Sequence, residues 1–101
     1  MQDNAVFNHR VVIDSNGHKV GTVSDVVSDA ATLEPRWLVV DIGLLRSSHY
    51  VPVICAQHVP CGEIVVPFDK ATVQHAVKAH GSHVLSSDEE SDLAEHYHLH
   101  N

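Results

Sequence analysis

Three residues at even spacing, Cys55, His58 and Cys61, offer thiolate and imidazole donors of the kind that bind zinc. Structural zinc sites are built from tighter Cys-x2–4-Cys pairs, whereas five residues separate these two cysteines, and no fourth ligand stands nearby in sequence. His49 or another of the ten histidines could complete such a set. The competing reading is a buried Cys55 acting as a small hydrophobe, with His58 and Cys61 facing solvent. Cys55 and His58 could also form a catalytic nucleophile–base pair, but the sequence supplies no orienting third group. Near the C-terminus, His96, His98 and His100 alternate with Tyr97 and Leu99. On a helix, His96 and His100 would share one face and could chelate a divalent metal; a polar terminal tail explains them as well.

Other chemistry is absent from the pattern. Ser24-Asp25 and Ser28-Asp29 are adjacent pairs, which a strand points to opposite faces. There is no glycine-rich phosphate loop and no nucleophile elbow. We therefore expect no catalytic residues, no cofactor and no resident metal. Trp37, the single tryptophan, is core or barrel rim on the simpler reading. It could also anchor a binding surface, where tryptophan is enriched, and Leu44-Leu45 would extend the same patch if exposed.

The elements that must position these residues follow from length and composition. A chain of 101 residues holds one domain, and 44% hydrophobic residues suffice for a packed core. Valines dominate the aliphatic content, which favours strands. Arg10-Val11-Val12-Ile13-Asp14 reads as a first strand, and Asn16-Gly17 as the positive-φ turn of a hairpin. The second strand spans 20–29. Val23 and Val26 fall out of phase there, so a β-bulge near Ser24-Asp25 is expected to restore both to one face. Arg36-Trp37-Leu38-Val39-Val40-Asp41-Ile42-Gly43 is apolar on both faces and needs cover on both, from a terminal helix or a partner subunit. A fourth strand over 49–54 contains Pro52, which marks an edge or an unpaired position, and a fifth covers 63–67.

Beyond these strands the period turns helical. Val73, Ala76, Val77 and His80 lie at i, i+3, i+4 and i+7, with Asp69 as N-cap, Phe68 as a staple and Gly81 as the stop. Ser87-Asp88-Glu89-Glu90 announces a second helix with a capping box, whose narrow apolar stripe is Leu93 and Tyr97.

The stretch from Val12-Ile13-Asp14 through Gly17, Lys19-Val20-Gly21 and Val23 to Asp25-Val26 resembles the opening hairpin of a PRC-barrel domain. Trp37-Leu38-Val39-Val40-Asp41, His49-Tyr50-Val51-Pro52-Val53 and Ile64-Val65-Val66-Pro67-Phe68 resemble its later strands, in order and at sensible spacing. The resemblance implies a mainly β fold: a small PRC-type β-barrel of five to six strands followed by two short helices. It divides the chain into a lead-in (1–9), the barrel (10–68) and a helical extension (69–98). It also implies a docking module rather than an enzyme, as in the cytoplasmic domain of the photosynthetic reaction-centre H subunit and one domain of a ribosome-maturation factor. The stretch Ile54-Cys55-Ala56-Gln57-His58-Val59-Pro60-Cys61 departs from the family pattern, where an acidic residue and an apolar pair usually follow the Val-Pro strand.

Thirteen acidic side chains against six basic ones give a formal charge of −7. Without a Lys/Arg cluster, binding to nucleic acid or to an anionic membrane surface is not expected. No run reaches the ~20 apolar residues of a membrane span, and the first residues lack the basic and apolar regions of a signal peptide. The expectation is a cytoplasmic protein-interaction module, homodimeric through the two-sided third strand, with a partner the sequence does not name. The alternative is a metal or redox sensor built on Cys55, His58 and Cys61.

Overall fold

The computed structural model describes residues 9–29, 31–43, 47–58, 62–76, 79 and 85–99. Six strands form one sheet: β1 (Val11–Asp14), β2 (Lys19–Ser28), β3 (Pro35–Ile42), β4 (Ser47–Pro52), β5 (Gln57–His58) and β6 (Ile64–Val66). Their order is β4-β3-β2-β1-β6-β5, antiparallel throughout except for the parallel pair β1–β6. Two helices follow, α1 (Lys70–Gln74) and α2 (Ser87–His96). The chain is mainly β, as expected. Closure into a barrel is not seen in these pairings, since no ladder joins β4 to β5 among the described residues.

The hairpin turn is fixed from both sides. Gly17 adopts φ +85°, which its lack of a Cβ permits. The buried Asp14 carboxylate accepts the N–H groups of Asn16 and His18, each at 2.9 Å, so the side chain holds the turn as well as the backbone does. The expected bulge in β2 is present: Val23 pairs with Val40 and Asp25 with Val39, leaving Ser24 as the extra residue. Val23 and Val26 are both buried as a result. A second irregularity falls between Val12 and Ile13 of β1, opposite Gly21 and Lys19.

The core is one cluster. Val12, Val23, Leu38, Val40, Ile42, Val51, Ile64 and Val66 from the sheet join Val73 of α1 with Leu93 of α2 and Tyr97 just beyond it. Leu38, Val40 and Ile42 share the inner face of β3, and Trp37 on the other face is buried too. The second cover that β3 needed comes from within the chain: α2 lies over Trp37, whose indole N–H donates to Glu90 Oε1 at 3.4 Å.

Several boundaries differ from the sequence reading. The fourth strand stops at Pro52, where the missing N–H ends the ladder, and Val53–Cys55 form a single 3-10 turn. Between that strand and the one expected over 63–67, Gln57–His58 form the additional short β5. α1 is only five residues long, and Val77, His80 and Gly81 lie outside the described residues. Asp69 does cap it, accepting from Thr72 N at 2.8 Å. The capping box of α2 sits one residue earlier than expected: Ser86 is the N-cap and Glu89 its reciprocal partner. The sequence contains both registers, Ser86-x-x-Glu89 and Ser87-x-x-Glu90. The one adopted leaves Glu90 to reach Trp37 and Arg36.

A candidate docking groove beside the C-terminal helix

One end of β3 and β4 forms a groove with α2, of about 600 Å³. Pro35 and Trp37 of β3, Pro52 at the end of β4, and Val53 and Ile54 of the 3-10 turn make its sheet side. Ser87, Glu90, Ser91 and Ala94 make its helix side, at the i, i+3, i+4, i+7 spacing of one helical face. Leu99, beyond the helix, also lines it. The helix side is small or acidic and the sheet side apolar.

Arg36 ties the parts together. Its Nη1 donates to Asp29 Oδ2 at 3.2 Å and its Nη2 lies 3.3 Å from Glu90 Oε2. The guanidinium therefore bridges the β2–β3 loop to α2. Asp29 Oδ1 also accepts the N–H groups of Ala31 (2.8 Å) and Thr32 (3.0 Å). Those backbone donors, Thr32 foremost, hold the Asp29 carboxyl below the usual carboxylate range, and Arg36 adds to the effect. Leu33 N donates back to Asp29 O, and Leu33 takes φ +61°. This loop holds an unfavourable backbone conformation at a bulky residue that is also 67% exposed. Leu33 immediately precedes Glu34, itself a groove residue. The second exposed large apolar residue among those described is Ile54, at 85%. Ile54 lines the groove, and Leu33 adjoins it only in sequence, through Glu34.

Cys55 ends the 3-10 turn and is half-buried, and desolvation pushes its thiol pKa up, which disfavours the reactive thiolate. His58 pairs in β5 opposite Ile64. Cys61 lies outside the described residues. Among the described residues no group of three His, Cys, Asp or Glu side chains is placed to hold a metal. His96 Nε2 donates to the Thr72 carbonyl at 2.8 Å, tying α2 to α1, while His98 is exposed and His100 lies outside the described residues. His49, considered above only as a spare ligand, is buried at 2% exposure. Its Nδ1 donates to Ala76 O at 3.1 Å and its Nε2 accepts from Ser47 Oγ at 3.2 Å. It serves the fold.

Of the proposed partner-binding residues, Trp37 is only 3% exposed and contributes to the groove from beneath. Leu44 and Leu45 lie outside the described residues. The sequence reading missed Leu33, Ile54 and Glu90. Ile54 had a signal, an apolar residue placed after the proline that ends its strand. Leu33 in its loop had none.

No match was found among the curated proteins. Residues 7–90, most of the chain, match the PRC-barrel domain. All six strands and α1 lie within that match. The chain belongs to the PRC-barrel domain family.

Proposed function

We propose that the chain is a non-catalytic protein-docking module, acting in the cytoplasm, that engages its partner at the groove between the β3–β4 end and α2. The observation that carries this reading is the placement of Leu33 and Ile54. Scattered exposed apolar residues are ordinary on any surface, but here one large one lines a groove and the other precedes a groove residue in the chain, which supports a binding surface. Leu33 adds backbone cost to exposure, and a conformation of that kind persists where it serves a function. Self-association through β3 has less support than the sequence suggested, because α2 supplies the cover that Trp37 required.

The test is a cross-linking pull-down from a lysate of the source cells, with the wild-type chain and with Leu33→Asp/Ile54→Asp. A stoichiometric partner held by the first and lost by the second, with both equally folded by circular dichroism, supports the reading. Equal recovery by both variants refutes docking at this groove.

A further inference from the structure

We infer that the occupant of this groove is a basic peptide segment with apolar side chains, one that places aliphatic residues against Ile54 and Val53 and lysines or arginines against the carboxylates on either side. The inference rests on the docking reading above and specifies its partner. Glu34 and Glu90 line the groove with a single guanidinium, Arg36, which Asp29 and Glu90 already engage. α2 carries Asp88, Glu89, Glu90, Asp92 and Glu95 with no lysine or arginine; of these Glu90 lines the groove, and Asp88, Asp92 and Glu95 are exposed on the rest of the helix. The groove lining holds two carboxylates against one guanidinium and the whole chain carries −7, so an acidic partner or a second copy of this chain meets repulsion. Pro52, Val53 and Ile54 give the lining an apolar part, and Glu34 and Glu90 an acidic one. Ser87, Ser91 and Ala94 are small, so a peptide can approach the helix face closely. A groove of this volume takes a short run of side chains rather than a folded domain.

The test uses two fluorescein-labelled synthetic peptides of equal length and identical apolar residues, one flanked by lysines and the other by glutamates. Fluorescence anisotropy is read against the full chain at low and at moderate salt. The lysine peptide should bind at least about tenfold more tightly than the glutamate peptide, and more weakly as salt rises. Ile54→Ser should weaken it about tenfold, and Glu34→Lys should weaken it while reducing its salt dependence. Ile54 is 85% exposed, so its substitution leaves the fold intact, and the melting curve verifies this.

Equal or tighter binding of the glutamate peptide, abolished by Ile54→Ser, overturns the basic partner and leaves docking at the groove standing. Lysine-peptide binding indifferent to Ile54→Ser overturns both. A dimer that Ile54→Ser dissociates makes a second copy the occupant and overturns the inference. So does failure of both peptides to bind, in which case the pull-down with Leu33→Asp/Ile54→Asp decides the docking reading separately.

Discussion

Gly21 lies where β2 passes closest to β3. A Cβ at this position would press on the Asp41 carbonyl oxygen and sit 2.7 Å from Val40 Cγ1, with Asp41 C at 3.2 Å. Backbone cannot give way as the end of a side chain can, so the strands would have to part. Gly21→Ala is expected to cost about 3 kcal/mol, read as a melting midpoint lowered by more than 10 °C, which is about the shift that such a loss produces in a domain of this size. Gly17→Ala acts differently: nothing lies within 4 Å of its added Cβ, and its cost is the φ of +85° alone. Tyr97 poses a pH question. Its hydroxyl donates to the buried Tyr50 carbonyl at 2.5 Å, and burial pushes its pKa well above the usual phenol value. The folded state thus keeps a proton that the unfolded chain releases near pH 10, so stability is full below about pH 10 and falls as pH rises beyond it. Tyr97→Phe should cost about 1–2 kcal/mol at neutral pH, through the carbonyl left without its donor, and should flatten the alkaline limb of a denaturation series.

At the scale of elements, α2 is held by few but varied contacts. Leu93 within it and Tyr97 just beyond it are buried, Phe68 lies 4.5 Å from the Tyr97 ring, and His96 and Glu90 tie its sides to α1 and β3. Burying two large side chains contributes about 4 kcal/mol, a sizeable share of a small domain's stability. Removing residues 86–101 should therefore shift the emission of Trp37 to longer wavelength and leave the sheet marginally stable. Ser86→Ala, which removes one cap, should cost about 1 kcal/mol and leave that emission unchanged. Much at this scale was legible in the sequence, because period and turn chemistry are local. Asn16-Gly17 demanded its turn, the phase slip between Val23 and Val26 demanded a bulge, and Pro52 demanded an edge. The register of the capping box was not legible, since Ser86 and Ser87 each have a glutamate three residues on. Tertiary contacts of Glu90 distinguish them. The groove was harder still. It joins residues 34–37, 52–54 and 87–99, and only folding brings these together.

Among the described residues, little of the sheet edge stands open to another copy. β4 is one edge, and its outward carbonyls are taken: Ser48 O by Ala79 N at 2.7 Å and Tyr50 O by the Tyr97 hydroxyl. Pro52 has no N–H to offer. β5, the other edge, is two residues long. With Trp37 covered by α2 and a charge of −7, the forces that would hold a homodimer at neutral pH are weak. Sedimentation velocity near pH 7.5 is therefore expected to show a monomer, against the dimer that the two-sided third strand suggested. Any self-association at higher concentration meets that same repulsion of like charge. If it runs through the groove, Ile54→Asp will remove it, because that face holds the exposed apolar area identified here. A dimer already present at pH 7.5 and indifferent to Ile54→Asp would place the contact on another surface and restore self-association as a property of the module.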